Sequence, residues 1–209
     1  MKGKQVVLGH INKAKVAALQ VDGRLLDVLI EDNSQPPIGT VLRATVERPI
    51  KGIGGAIVKL PGGSGFLKKN KGLAPGQVIT VQISGFSEEG KARPVTQQII
   101  FKSRYAIVTP DKPGLNISRK IKSEKLRDEL TLLAKSKMEG CKMGLILRSI
   151  AAVADPEDIE ADILEMRGVA ESLQSKVGLT PEILLEGDNP HIQAWREWSD
   201  VTYIFAETN

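Results

Sequence analysis

Between Gly39 and Phe101 the chain changes texture, and this stretch constrains the fold more than any other. Short β-rich pieces alternate there with glycine turns: Val41-Leu42-Arg43-Ala44-Thr45-Val46, Gly55-Ala56-Ile57-Val58-Lys59-Leu60, Gly65-Phe66-Leu67, residues 77–83 and residues 95–101. Closely spaced strands with glycine turns favour a small closed barrel or sandwich, because closure leaves no unpaired edge.

The flanks read differently. Residues 5–9 and 15–21 are rich in Val, Ala and Leu, and Val21-Asp22-Gly23-Arg24 is a hairpin signal. With Leu25-Leu26-Asp27-Val28-Leu29-Ile30 they predict three antiparallel strands, ended by the polar run 31–37 with its two prolines. After the barrel region a strand at 105–109 stops at Pro110. A helix from about Ser123 to Met138 follows, with Ser123 as N-cap and Leu126, Leu130, Leu133 and Lys137 on one face. It ends at Gly140-Cys141, before the apolar strand Gly144-Leu145-Ile146-Leu147-Arg148.

The second helix has Asp155 as cap, Pro156 at its first position and Asp158 three after the cap. Ile159, Ile163, Met166, Ala170, Leu173 and Val177 form its apolar stripe, a core or coiled-coil face, and Gly178 ends it. In the tail, Ile192, Trp195 and Trp198 suit a short amphipathic helix over 189–199. Val201-Thr202-Tyr203-Ile204-Phe205 is a strand, and a chain stopping directly after it reads as a shortened piece of a longer protein.

A chain of 209 residues with 41% hydrophobic content buries one sizeable core or two small ones. The single cysteine, Cys141, excludes an internal disulfide and a Cys-x-x-Cys zinc pair, so the expectation is a reduced, cytoplasmic protein. The apolar patch Val6-Val7-Leu8 is too short for a signal peptide or a membrane span. Net charge is only +4, but its distribution is uneven. Residues 36–104 carry eleven basic and three acidic side chains, and residues 150–209 carry three and thirteen. A basic middle suits a polyanion, although a solvated basic surface gives the same count.

Catalytic motifs are missing from the sequence. His10 and His191 share no motif, and there is no His-Glu-x-x-His, Walker loop or dinucleotide fingerprint. The glycine strings at 52–55 and 62–65 read as turns, since no helix begins there to add its dipole to a phosphate cradle. Glu157, Asp158, Glu160, Asp162 and Glu165 spread around the second helix and read as its solvated face. No catalytic residue and no metal ligand is assigned.

Binding is better supported. The barrel region holds Arg43, Arg48, Lys51, Lys59, Lys68, Lys69, Lys71, Lys91 and Arg93 with one strand aromatic, Phe66. The stretch has the length of one OB-type barrel, and such barrels bind single strands by combining a basic groove with a stacking ring. Phe66 is either that ring or a core residue. Arg148-Ser149 is the second candidate: an arginine at a buried strand's end can grip two phosphate oxygens, with the serine hydroxyl adding a bond. The alternative is an arginine paired to a local carboxylate.

Several strings resemble the ribonuclease E/G family: Gly65-Phe66-Leu67, Gly76-Gln77-Val78-Ile79-Thr80-Val81-Gln82-Ile83, Glu89-Gly90-Lys91 and Ser103-Arg104-Tyr105-Ala106-Ile107-Val108-Thr109-Pro110. The most specific are Asn116-Ile117-Ser118-Arg119-Lys120-Ile121 and Gly144-Leu145-Ile146-Leu147-Arg148-Ser149. The resemblance implies an α+β chain: an incomplete ribonuclease H-like fold with an inserted OB-fold barrel and a small α/β sensor subdomain for the RNA 5′ end. The implied boundaries are 1–35 (ribonuclease H-like, first segment), 36–101 (OB barrel of the ribosomal protein S-one type), 102–177 (sensor) and 178–209 (ribonuclease H-like, second segment, truncated).

By position, the resemblance places Phe66 and Lys91 at RNA contacts in the barrel, with Lys68, Lys69 and Arg93 beside them in the basic set. It places Arg148 and Ser149 where an Arg-Thr pair holds a 5′-monophosphate, Ser103 and Ile107 at positions lining that pocket, and Arg119 and Lys120 near the RNA path. Three departures stand out: Ile57 replaces a second barrel aromatic, Ser103 replaces a pocket glycine, and residues 150–155 replace a glycine-containing segment. The family's magnesium-binding aspartates and cysteine zinc link are expected beyond residue 209. The implied function is single-stranded RNA binding with 5′-monophosphate sensing, as the RNA-binding part of an endoribonuclease of RNA processing or decay. Magnesium is expected for the full-length enzyme, a homo-oligomer is compatible with that form, and no membrane partner is expected. Other readings are a complete non-catalytic RNA-binding regulator and a protein-interaction domain.

Overall fold

Asn12, Lys13, Asp22 and Gly23 all take positive φ, at 49°, 71°, 50° and 77°. This is the geometry of two-residue turns whose twist matches that of paired strands. They fold β1 (Lys4–Ile11), β2 (Ala14–Val21) and β3 (Arg24–Ile30) into an antiparallel meander. The Asp22-Gly23 turn was legible in the sequence; Lys13 in the left-handed region carries no such signal. The computed structural model describes residues 3–50, 52, 54–68, 72–88 and 90–206.

The glycine-punctuated region forms β4 (Val41–Ile50), β5 (Gly55–Leu60), β6 (Gly63–Leu67), β7 (Val78–Ile83) and β8 (Arg93–Thr96). The pairing order is β4-β5-β6-β8-β7, and β7 returns to β4, closing a five-stranded OB-like barrel. Alternate residues fill its interior, among them Leu42, Ala44, Val46, Ala56, Val58, Leu67, Val81, Ile83 and Val95. Gly65 occupies a tight interior position, where a side chain would press on its neighbours. A Cβ there would lie 3.0 Å from both Leu60 Cδ1 and Val58 Cγ2.

The chain divides into two compact units, residues 1–97 with 179–209, and residues 98–178. The second unit holds β9 (Phe101–Lys102), β10 (Ala106–Thr109), β11 (Gly114–Ile117), α1 (Glu124–Lys137), β12 (Gly144–Leu147), a 3-10 turn (Ser149–Val153) and α2 (Pro156–Gln174). Its sheet runs β11-β12-β10-β9. Val108, Leu145 and Leu147 from the sheet, Leu130 and Ala134 from α1, and Ile159 and Ile163 from α2 are buried. Ser123 Oγ accepts from Leu126 N, as its sequence position implied.

The second helix departs from its sequence reading at both ends. Asp155 takes the extended cap conformation without a side-chain cap bond. The helix stops at Gln174 rather than at Gly178, leaving Val177 94% exposed. The Ser172 and Ser175 hydroxyls bond back to the carbonyls of Val169 and Ser172, and no buried apolar residue follows Ala170 in the helix.

The chain then returns to the first unit. β13 (Glu182–Leu185), which sequence reading missed, pairs antiparallel with β4. α3 (Pro190–Glu197) begins at Asn189, whose side chain accepts from His191 N and Ile192 N, and it buries Ala194 with Val6, Leu8 and Leu19. β14 (Thr202–Phe205) lies parallel to β1 at the sheet edge, with Phe205 75% exposed.

Candidate functional site

Strand register builds one face of the barrel. Arg48 on β4 pairs with Ile57 on β5, Ile57 with Phe66 on β6, and Phe66 with Pro94 on β8. Their neighbours Ala56, Val58, Gly65, Leu67 and Val95 point inward or are buried, so this row points outward. Arg48 is exposed, and Ile57, Phe66 and Pro94 are half-buried. Lys59 and Lys68 are exposed on the same strands' continuation.

Phe66 is therefore not a barrel-core residue. Its ring rests on Gly55: a Cβ built there would fall 2.5 Å from Phe66 Cε2 and 2.8 Å from Cζ. The glycine gives the aromatic a fixed seat and leaves the ring little rotamer freedom.

Not all the basic residues of the barrel reach solvent. Arg43 is buried and forms an ion pair with Glu182 on β13, the residue opposite it in register. Arg93 is 9% exposed, and its Nε is buried without a hydrogen-bond partner among the described residues. Such a group costs roughly 1–3 kcal/mol. Burial pulls the Arg93 pKa below the ordinary guanidinium value, with the nearby Asp32 charge acting in opposition. Asp32 itself is held below the usual carboxylate range, chiefly by bonds from the Ser34 hydroxyl and amide. Lys91 is exposed and pairs with the exposed Glu88. Lys51, Lys69, Lys71 and Glu89 lie outside the described residues.

The second unit brings Arg148, Ser149, Ser103 and Ile107 to neighbouring positions. Arg148 follows β12, and its Nη1 donates to the carbonyls of Ser103 (2.6 Å) and Arg104 (3.2 Å). Its amide donates to Tyr105 O at 2.8 Å. These carbonyl bonds fix the guanidinium against the 103–105 segment. Ser149 is exposed at the start of the 3-10 turn, and Ile107 is half-buried on β10.

Asp162 is the residue sequence reasoning misread. It lies on the flank of the α2 stripe, one position before buried Ile163, rather than on the solvated face. Its Oδ2 accepts from Ser103 Oγ (2.6 Å), Tyr105 N (2.8 Å) and Ala106 N (3.0 Å). The turn ahead of β10 is thus capped by a carboxylate, and the Ser103 hydroxyl points to that carboxylate, with Ala106 O 3.0 Å away.

Arg119 and Lys120 are exposed on the turn between β11 and α1. Arg127 braces this turn from α1, its Nη1 donating to Ser118 O (2.9 Å) and Ile121 O (3.2 Å). Among the described residues, no three His, Cys, Asp or Glu side chains converge so as to hold a metal ion, and no helix is long and apolar enough to cross a membrane.

An OB-like barrel carrying a seated aromatic among cations, in one chain with a small α/β unit, defines an α+β protein with the features of a nucleic-acid-binding surface. The ribonuclease E/G family model matches residues 101–207, and the chain belongs to that family. A ribonuclease E from Nostoc sp. is 27% identical over 208 residues, covering 91% of this chain and 30% of the relative. A probable ribonuclease FAU-1 from Staphylothermus marinus is 31% identical over 102 residues, covering 47% of this chain and 21% of the relative. The chain thus spans less than a third of either relative's length.

Proposed function

We propose that this chain is the RNA-binding part of a ribonuclease E/G-type endoribonuclease of RNA processing or decay. It grips single-stranded RNA on the barrel and tests the RNA 5′ end beside Arg148. The observation that carries the reading is the outward row Arg48, Ile57, Phe66 and Pro94, with Phe66 seated on Gly55. A base stacks on the seated ring, while Arg48, Lys59, Lys68 and Lys91 attract the phosphates. The names of the two relatives support RNA as the polymer.

The 5′-end reading rests on Arg148 and Ser149 standing together after β12, with Ser103 and Ile107 nearby. A terminal phosphate there is held by the Arg148 charge and accepts from the Ser149 hydroxyl. Asp162 works against this, since its charge adjoins the same segment. Domain roles follow the boundaries given by the sequence: ribonuclease H-like segments at 1–35 and 178–209, the barrel at 36–101 and the sensor at 102–177. The family implies a magnesium-dependent nuclease. The described carboxylates here do not fit a magnesium site, and binding is the chemistry proposed for these residues.

The test is a titration of the chain with 5′-phosphorylated and 5′-hydroxyl single-stranded RNA at two salt concentrations. Salt-sensitive binding, tighter for the phosphorylated strand, is expected. Absence of binding in dilute buffer overturns the whole reading, and equal affinity for the two strands overturns the sensing part alone.

A further inference from the structure

One end of the barrel holds an open hollow of about 500 Å³. Leu42, Leu60 and Ile83, buried at the end of the core, form its floor. Its rim includes Ser34 and Gln35, the hairpin turn at Gly62-Gly63-Ser64, Lys91 and Arg93. Arg93 starts β8 on the same side of the strand as the core residue Val95, so its side chain runs along the barrel end. More than nine-tenths of this arginine is buried, yet its Nε lacks a partner among the described residues.

That orphan proton lies on one of the two guanidinium edges able to bind an oxyanion with two parallel bonds. The glycine turn that lines the same hollow offers room for such an anion. A Cβ built on Gly62 or Gly63 meets nothing within 4 Å, so the backbone there is open to close approach. The Lys91–Glu88 pair is solvent-exposed, with side-chain exposures of 67% and 76%, and exchanges easily for a stronger anion. Among the described residues lining the hollow, none is acidic. Asp32 acts on Arg93 through its charge, and its carboxylate accepts from the Ser34 amide and hydroxyl.

We propose that this hollow is a phosphate subsite, in which Arg93, Lys91 and the Gly62-Gly63-Ser64 turn hold one phosphodiester of the bound single strand. It rests on the reading that the barrel binds RNA and extends the strand's path from the Phe66 face to the barrel end. It also gives the glycine turn at 62–65 a role that does not need a helix dipole: open backbone beside a fixed guanidinium.

The test follows the Arg93 Nε–H signal in nitrogen-15 spectra of the full chain, assigned by its loss in Arg93→Lys. The probes are a 5′-hydroxyl oligouridylate and, separately, inorganic phosphate; binding of the oligouridylate is also followed by fluorescence anisotropy. The signal is expected to move and saturate with the oligouridylate, and Arg93→Gln should lower the salt slope by about 0.7. Gly63→Glu provides a variant that keeps the arginine at position 93, and a Cβ at position 63 meets open space. It should weaken the oligouridylate about ten-fold or more through one repelled phosphate. A signal that moves with inorganic phosphate alone makes this a free-anion site and overturns the RNA assignment. An unmoved signal while anisotropy reports tight binding overturns the subsite and leaves RNA binding standing. No binding of the oligouridylate by either readout overturns both.

Discussion

The Ser103 hydroxyl lies 2.6 Å from Asp162 Oδ2, the same oxygen that accepts from the amides of Tyr105 and Ala106. One carboxylate oxygen thus ties α2 to the turn that precedes β10. The same turn supplies the carbonyls that receive Arg148 Nη1. Removing the carboxylate leaves two backbone amides short of an acceptor and loosens the frame around Arg148. Asp162→Ala should destabilise the protein by about 2–4 kcal/mol, several charge-assisted bonds being lost at once. Urea denaturation measures it, and a loss below about 0.5 kcal/mol would show that the cap carries no stability.

Ser103→Gly tests the same contact from the other partner. It deletes one hydroxyl bond, costing about 1 kcal/mol, and leaves the amide bonds to Asp162 in place. It also removes a side chain from the proposed 5′-phosphate pocket. Preference for 5′-monophosphate over 5′-hydroxyl RNA should therefore rise relative to the parent chain. A preference that falls or stays fixed would separate Ser103 from that pocket.

The barrel and this polar cap were not equally legible in the sequence. Closely spaced strands with glycine turns predicted a closed barrel or a sandwich, because closure is a collective demand that many residues express together. The apolar stripe of α2 was readable through Ala170 for the same reason. Asp162 was not, because a carboxylate on the flank of a stripe looks the same in sequence whether it meets water or three donors. Glu182 escaped too: its strand is four residues long, and only its partner Arg43 on β4 gives it a reason to be there. Arg93 looked like one more surface cation, since a basic residue's burial depends on which way its strand faces and not on local composition.

Gly55 and Phe66 act as a unit. Gly55→Ala places its Cβ 2.5 Å from Phe66 Cε2 and 2.9 Å from the Leu67 carbonyl oxygen, and that backbone atom cannot swing away. A stability loss of about 1–3 kcal/mol is expected from this overpacking. Phe66→Ala leaves the core intact, since the ring points outward, and should weaken single-stranded RNA by about 1–3 kcal/mol. Isothermal titration against one oligonucleotide compares the two variants. Undiminished affinity in Phe66→Ala would remove stacking from the account.

Lys91 and Arg148 divide the proposed binding into general and end-specific parts. Lys91 is exposed with only a surface partner, so Lys91→Ala should cost little stability and lower the slope of log affinity against log salt by about 0.7. It should do so equally for phosphorylated and unphosphorylated strands. Arg148→Ala should leave that slope nearly unchanged for 5′-hydroxyl RNA and erase any advantage of a 5′-monophosphate. The guanidinium also holds the 103–104 carbonyls, so loss of preference in Arg148→Ala alone has two explanations: a missing phosphate contact or a displaced loop. Arg148→Lys separates them by retaining a positive charge and giving up the planar fork. Partial recovery of the preference in Arg148→Lys assigns the effect to phosphate contact. Full loss in both variants, with the Tyr105 and Ala106 amide signals displaced, assigns it to the loop and ends the case for a sensor.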